Sequence, residues 1–369
     1  MEFTISKNAL QKELGFVQGT VEKKNTIPAL SNILIESVGE GTIRLIGTDL
    51  DVTLRCEAEA EIKTPGSMCV SARKLFEIAR VLPDAPVSFR REENNWVTVK
   101  CERSNFRLAG VERESFPDVP SFKSASVKLS ASIFKTLIDR TIFAITLEES
   151  RYTLSGAKFV LGKHGARMVT TDGHRLAFIE RKDIGANVQD EIDTLIPRKT
   201  LSELTKLMAS HEGDIGLGAD ENHIYFEVGP RLLISRTLTG QFPNYEMVMP
   251  KGNDKSADFD SSLLGQAIRR VALMADDRSH AIRFHLTPGS LHISSQTAEE
   301  GEARETVSTD YAGEETEIGF NAAYLQDFLN VMNGGGVTFE FKDGSSQAQL
   351  RPTSDDDYDY KYVVMPMRI

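Results

Sequence analysis

The sequence predicts an α+β protein built from three tandem repeats of one unit, each containing helix, strands, helix and strands. Two helical patterns recur about a domain apart, and short alternating runs bounded by Gly, Asn or Asp lie between and after them. The 369 residues are enough for three separate cores. We therefore expect α+β domains over 1–122, 127–251 and 255–369, with polar boundary segments near 122–127 and 251–257.

The first helix of each unit follows an apolar residue and a residue type that is favoured at helix N-caps. The expected caps are Ser6, Ser130 and Asp260. Apolar residues four positions apart then lie on one helix face. These pairs are Leu10/Leu14, Phe134/Ile138 and Leu264/Ile268.

The second helices are RKLFEIARVL, RKTLSELTKLM and AAYLQDFLNVM, which begin at Arg73, Arg198 and Ala322 and share apolar i, i+3, i+7 spacing. The runs TIRLIG, NNWVTVKC, NFRLAGV, HIYFEV, RLLISRTL and GVTFEFKDG have the alternation of antiparallel strands. The run GAKFVLGKH imitates a phosphate-binding loop, but its glycines are one residue too far apart and His164 follows Lys163. A strand and turn is the better interpretation.

Composition indicates a water-soluble protein of a reducing cytoplasm. Apolar residues make up 40% and charged residues 26%, and no run of eighteen apolar positions occurs. The N-terminus lacks a basic segment followed by an apolar run, and the cysteines are an odd, widely spaced set. The net charge of −11 argues against indiscriminate coating of nucleic acid, although it does not say where the charges lie.

Cations recur on the predicted second helices although the chain is acidic overall. A solvated helix face is the competing interpretation, but repetition on helices that the repeat would place on one side favours salt-sensitive contact with a phosphate backbone. The candidate DNA-contacting cations on these helices are Arg73, Arg80, Arg198, Lys199 and Lys206.

No catalytic, metal or cofactor signature is present. The histidines lack metal-site spacing, the cysteines form no C-x-x-C, and a solvated loop is the favoured interpretation of Asp355–Asp357. The stretch TTDGHRLAF combines Asp172 with His174, yet no nucleophile is evident for them to activate. We expect no catalytic residue, no metal and no cofactor.

The repeat provides an internal control for this stretch. Thr48-Asp49 in the first repeat corresponds to Thr171-Asp172 in the second repeat. The Thr-Asp pair is therefore expected to stabilise a turn, in which the Asp side chain accepts hydrogen bonds from nearby backbone amides. The residues that distinguish the second repeat from the first are then Gly173, His174 and Arg175.

TDGHRL, FPNY followed by VMP, GFNAAYLQDFL and the terminal VVMPMR resemble the bacterial DNA polymerase III beta subunit family, the sliding clamps, over the whole chain. The resemblance implies a non-catalytic homodimeric ring, with helices lining the hole and antiparallel sheets outside. Such a ring would encircle duplex DNA without reading its sequence and tether the replicative polymerase, the clamp loader and repair factors through their short linear motifs. It would act in the cytoplasm, associated with the nucleoid.

The resemblance adds Lys24, Arg151 and Tyr152 to the DNA-contacting residues, with Thr153 where some relatives carry a second aromatic. It also implies a hydrophobic peptide-binding cleft, and the Met and Val content suits an adaptable apolar wall. The cleft residues are Leu154, Thr171, Gly173, His174, Arg175, Leu176, Pro243, Met247, Val248, Asn321, Tyr324, Ser346, Val363, Val364, Met365, Pro366, Met367 and Arg368.

A head-to-tail subunit interface is the third site that the resemblance implies. Basic residues of the first domain would face acidic residues of the third, which favours this pairing over head-to-head pairing. The ordinary core is the competing interpretation for the apolar members. The interface residues are Lys74, Ile78, Arg103, Phe106 and Leu108 against Leu273, Met274, Glu299 and Glu300.

Two rival functions differ in class from the clamp. One is an enzyme that uses Asp172 and His174, and the other is a monomeric interaction scaffold that does not bind DNA. The enzyme hypothesis is weakened because no nucleophile is evident. The scaffold hypothesis is weakened because the basic helices favour contact with DNA.

Overall fold

The computed structural model of the protein describes residues 1–21, 27–122, 124–148, 150–185, 188–298, 301–332, 334–354 and 357–368. The chain forms two compact units. Unit 1 comprises Met1–Lys135 and Lys199–Thr237, and unit 2 comprises Thr136–Arg198 and Leu238–Ile369. The central part of the sequence therefore contributes to both units.

The helices of the described residues begin close to the predicted positions. Ser6 accepts a hydrogen bond from the Ala9 amide at 3.2 Å, and Asp260 accepts one from Leu263 at 2.9 Å, as expected of N-caps. The predicted first-helix apolar pairs are all buried. The helices are α1 (Lys7–Thr20), α2 (Ala72–Val81), α3 (Ala131–Asp139), α4 (Arg198–Met208), α5 (Ser261–Val271) and α6 (Ala322–Met332).

The strands account for most of the remaining described chain. The first eleven are β1 (Glu2–Ser6), β2 (Asn32–Val38), β3 (Thr42–Thr48), β4 (Val52–Glu59), β5 (Glu61–Thr64), β6 (Ser67–Ser71), β7 (Pro86–Arg91), β8 (Val97–Cys101), β9 (Ser104–Leu108), β10 (Gly110–Val111) and β11 (Val127–Ser130). The next seven are β12 (Gly156–Gly162), β13 (Gly165–Thr171), β14 (Arg175–Lys182), β15 (Ile192–Pro197), β16 (Asp214–Ala219), β17 (His223–Val228) and β18 (Arg231–Arg236). The last are β19 (Lys255–Asp260), β20 (Ala281–Thr287), β21 (Ser290–Thr297), β22 (Gly301–Ser308), β23 (Thr316–Asn321), β24 (Gly336–Phe341), β25 (Ala348–Pro352) and β26 (Asp359–Val364).

Unit 1 contains two antiparallel sheets in its described residues. The smaller has the order β5-β1-β7-β8-β9, so β9 is an edge strand. The larger has the order β10-β6-β2-β3-β4-β18-β17-β16-β11. In it β4, from the first repeat, pairs with β18, from the second, with Cys56 opposite Arg231. One continuous sheet therefore joins the first two repeats.

Unit 2 repeats this arrangement. Its larger sheet has the order β15-β12-β13-β14-β26-β25-β24-β19, and β14 and β26 join the second repeat to the third, with Leu176 opposite Val363. Its smaller sheet has the order β22-β21-β20-β23, which leaves β22 at an edge. The GAKFVLGKH run is β12 and the turn before β13, as predicted.

The Thr-Asp pairs form the same turn in both units. Asp49 Oδ1 accepts the amides of Asp51 and Val52 at 3.0 and 2.6 Å. Asp172 Oδ1 likewise accepts the amides of the second and third residues after it, at 2.9 and 3.1 Å. The structural interpretation of the pair is confirmed, because the carboxylate replaces backbone hydrogen bonds that the turn leaves unmade.

The described residues contain neither a membrane-spanning helix nor a cluster of metal-ligating side chains. No helix among them is long and apolar enough to cross a membrane. No cluster of three or more His, Cys, Asp and Glu side chains in the same residues is placed to hold a metal ion. Of the acidic run at Asp355–Asp357, only Asp357 lies within the described residues, and it pairs with Arg181.

Candidate functional site

The turn between β13 and β14 is the centre of the candidate cleft. The Thr171 hydroxyl donates to the Arg175 carbonyl at 2.6 Å and accepts the Gly173 amide at 3.0 Å. Gly173 has φ +90°, a region that glycine enters without strain. The Met365 amide donates to the His174 carbonyl at 2.9 Å. Met365 is thereby fixed beside the turn.

Arg175 organises the wall behind this turn. Its side chain is 9% exposed, and its guanidinium donates to Asp172 Oδ2 at 2.9 Å, Asp327 Oδ2 at 2.6 Å and the Phe143 carbonyl at 2.8 Å. It also lies 4.4 Å from the ring centroid of Tyr324, a favourable cation–π geometry. Arg175 is therefore a fixed part of the wall.

Asp172 is committed to structure. One carboxylate oxygen serves the turn amides and the other serves Arg175. If His174 were a general base, the Asp172 carboxylate would have to orient its imidazole ring. The Asp172–His174 enzyme hypothesis therefore has no geometric support here.

A shallow recess opens between the turn and the end of β26. Its apolar floor continues into a buried cluster of unit 2 that includes Phe178 and Phe242, with half-buried Leu154 packed against it. The side chain of Met247, beside the recess residue Val248, is 77% exposed. The recess is lined by Thr171, Gly173, His174, Arg175, Leu176, Val248, Val363 and Met365.

Other predicted cleft residues have structural contacts of their own. Asn321 Oδ1 accepts the Ala323 amide at 2.9 Å at the start of α6. The Ser346 hydroxyl donates to Asp343 at 3.0 Å, and Met367 is bridged to Gly319. Val364 is buried, Pro366 is half-buried, and Pro243 and Arg368 are exposed.

Tyr324 extends the wall beyond the recess. Its ring stacks against His174 with centroids 6.4 Å apart. Burial, followed by the charge of Asp172, raises the pKa of the Tyr324 hydroxyl, so this group remains a hydrogen-bond donor at neutral pH. Sequence reasoning missed Phe143 and Asp327, which hold Arg175, because no motif or spacing links them to it.

The predicted DNA-contacting residues of unit 2 differ in accessibility. Tyr152 is 52% exposed. Arg151 donates to the Asp172 carbonyl at 2.6 Å. Arg198 donates to the carbonyls of Ile142 and Ile145 at 3.0 and 3.3 Å. Both arginines therefore have protein partners, and Tyr152 is the more accessible group.

Unit 1 carries the other candidate cations. The side chain of Arg73 is 78% exposed and that of Lys206 is 60% exposed, and each pairs with a glutamate of its own helix. Arg80 is also exposed. Lys199, in contrast, is bound to Asp49 and to the Thr20 carbonyl. Lys24 lies outside the described residues.

The predicted interface residues of the described chain lie on β9 and just before it, on α2, and in the turn after α5. In β9, Phe106 and Leu108 are half-buried on one face and Arg107 is exposed between them. Arg103 is exposed just before that strand, Lys74 is exposed and Ile78 half-buried on α2, and in unit 2 Leu273 is 73% exposed and Met274 half-buried. Val81, at the end of α2, is also 76% exposed. Glu299 and Glu300 lie outside the described residues.

Three family models match the chain in order. They describe the N-terminal, central and C-terminal domains of the DNA polymerase III beta subunit, and they match residues 1–120, 128–244 and 246–368. The beta sliding clamp of Pseudomonas putida is 38% identical and that of Escherichia coli K12 is 32% identical, each over 100% of both chains.

Solved structures agree with this assignment. A crystal structure of the DNA polymerase III beta subunit from Pseudomonas aeruginosa has a TM-score of 0.94 at 37% identity, over 100% of both chains. The sliding clamp from Bartonella birtlesii, crystallised bound to griselimycin, has a TM-score of 0.94 at 31% identity with the same coverage. A clamp from P. aeruginosa was also crystallised with griselimycin.

These matches define a three-repeat replication clamp and confirm the predicted fold. The chain belongs to the DNA polymerase III beta subunit family. Its function is that of a DNA sliding clamp, a processivity factor without catalytic activity.

Proposed function

We propose that two copies of this chain close head to tail into a ring around duplex DNA, and that each copy tethers partner proteins through the recess beside the Thr171–Arg175 turn. The ring slides because its phosphate contacts are weak and carry no sequence information. It stays on DNA because its path around the duplex is closed. It works in the cytoplasm, on the nucleoid.

The observation that carries ring closure is the pair of edge strands β9 and β22, each outermost in its sheet among the described residues. An uncovered edge presents backbone donors and acceptors to another chain. Joining β9 of one copy to β22 of the next continues the sheet, and a heterologous contact of this kind forms a ring when it closes.

The recess provides the tethering function. Its apolar lining and exposed polar rim suit an extended peptide with bulky apolar side chains. Griselimycin was crystallised bound to two related clamps, and we expect it to bind in this recess. Exposed Met247 widens the apolar wall for the incoming chain.

Retention on circular DNA tests encirclement. The protein is loaded on nicked circular duplex by its cognate clamp loader and separated by gel filtration, and the template is then cut once with a restriction enzyme. We expect retention before the cut and release after it. Retention on the cut template, or failure to be retained on the circle, would contradict the proposal. The variant Phe106→Asp, which places a charge on β9, should not be retained on either template.

A further inference from the structure

We infer that Arg151 is a positioning residue that links DNA contact to ligand binding in the recess. Its guanidinium contacts both the turn at Gly173 and the segment of residues 146–148 and 150–155, which is termed here the Arg151 loop. The inference rests on the proposed function, because that function requires both DNA contact and ligand binding in the recess. The inference assigns the coupling between them.

The Arg151 loop has one exposed side and one side in the floor of the recess. Leu147 is 81% exposed and Tyr152 is 52% exposed. Leu154 packs against the buried cluster below the recess. The Thr146 amide donates to the Leu154 carbonyl at 3.3 Å, which closes the loop. A ligand that moves this loop therefore acts on the recess floor.

Arg151 joins the loop to the turn directly. Nη1 donates to the Asp172 carbonyl at 2.6 Å, and Nε lies 3.0 Å from Glu148 Oε2. A Cβ added to Gly173 would lie 2.8 Å from Nη1, so the guanidinium packs on the turn where a side chain would otherwise stand. The Arg151 side chain is still 39% exposed and can be reached from solvent.

A DNA phosphate competes for this guanidinium. Phosphate oxygens bind arginine through two parallel charged hydrogen bonds, which are stronger than the single bond to the neutral Asp172 carbonyl. Withdrawing Arg151 removes that bond and loosens the turn carrying Gly173 and His174. DNA contact therefore weakens ligand binding in the recess, and ligand binding weakens DNA contact by the same factor.

The test measures the dissociation constant of fluorescein-labelled griselimycin by anisotropy at low ionic strength, with and without a saturating short duplex. For the parent protein, DNA should weaken binding about fivefold, the effect of about one hydrogen bond. Arg151→Lys keeps a point charge for phosphate but cannot make both of its present contacts, so its griselimycin affinity should not respond to DNA. Arg283→Ala, which removes an exposed cation paired with Glu317, should keep the full response.

A second variant tests the same coupling from the other side. Glu148→Gln removes the countercharge of Arg151 and should enlarge the DNA effect. A parent protein that binds the duplex but shows equal griselimycin affinity with and without it would overturn the inference alone, as would a full response in Arg151→Lys. Failure of a labelled duplex to bind the parent would overturn the proposed function as well. Native mass spectra and circular dichroism would establish that each variant is folded and assembled.

Discussion

At the scale of single residues, Arg175 is the central structural side chain of the candidate cleft. It satisfies two carboxylates and one carbonyl while its own side chain is nearly buried. Arg175→Ala would leave Asp172 and Asp327 without their cation. We expect the free energy of unfolding to fall by about 2–4 kcal/mol and griselimycin binding to be lost, as measured by urea denaturation and by anisotropy.

The matched controls separate charge from geometry at this position. Arg175→Lys should recover little, because an ammonium cannot reach three acceptors in fixed directions. Arg283→Ala breaks an exposed pair and should change stability by less than about 0.5 kcal/mol. Equal stability losses in Arg175→Ala and Arg283→Ala would show that the network around Arg175 contributes little.

The two Thr-Asp turns differ at one informative position. Leu50 in unit 1 has φ +82° and Gly173 in unit 2 has φ +90°, so a leucine stands in a conformation that favours glycine. Because Leu50 is 48% exposed, Leu50→Gly loses little packing and should stabilise the protein by up to about 1 kcal/mol. Gly173→Ala should destabilise it by about 1–2 kcal/mol. Urea denaturation measures both, and a loss above about 1 kcal/mol for Leu50→Gly would mean that its side chain packs usefully.

At the scale of elements, the junction of β4 and β18 is strengthened by a buried ion pair. Glu13 of α1 and Arg231 of β18 are 7% and 6% exposed in their side chains, and their two hydrogen bonds measure 2.7 and 2.6 Å. Arg231 also lies 4.3 Å from the Phe16 ring centroid. Glu13→Gln would leave the guanidinium buried without its countercharge, so we expect a loss of about 3–5 kcal/mol in urea denaturation.

Two further variants compare the loss of one partner of the Glu13–Arg231 pair with the replacement of both partners, and with the loss of an exposed pair. Replacing both partners, with Glu13→Leu and Arg231→Met together, should restore most of the stability because no uncompensated charge remains. Lys63→Gln, which breaks an exposed pair with Glu2, should change stability by less than about 0.5 kcal/mol. If Glu13→Gln were as mild as Lys63→Gln, the buried pair would not hold the junction.

The sequence predicted the elements better than their partners. Caps such as Ser6 and Asp260 and the apolar helix pairs are local signals, and the helices follow them closely. The pairing of β4 with β18 joins strands far apart in sequence, and alternation alone does not choose a partner strand. Resemblance supplied the recess residues, whereas the contact of Arg175 with Asp327 required the fold. The domain boundaries near 122–127 and 251–257 stay predictions.

At the scale of the whole molecule, the single tryptophan is placed to report on assembly. The Arg107 guanidinium on edge strand β9 lies 4.5 Å from the ring centroid of Trp96. Covering β9 with a second copy would restrict Arg107 and change the surroundings of the indole. We expect tryptophan emission to shift on dilution as the ring dissociates. Phe106→Asp should show the emission of the dilute protein at every concentration. A tryptophan emission of the parent protein that stays constant on dilution, while the mass of the assembly falls, would contradict this placement.

Ring closure is the central claim, and native mass spectrometry at micromolar concentration tests it most directly. A head-to-tail contact that closes after two copies gives one species, whereas a contact that does not close gives an open series of oligomers. We predict a single assembly at twice the chain mass of 40.9 kDa, and a monomer for Phe106→Asp. A monomeric parent protein, or a ladder of trimers and longer oligomers, would contradict the account.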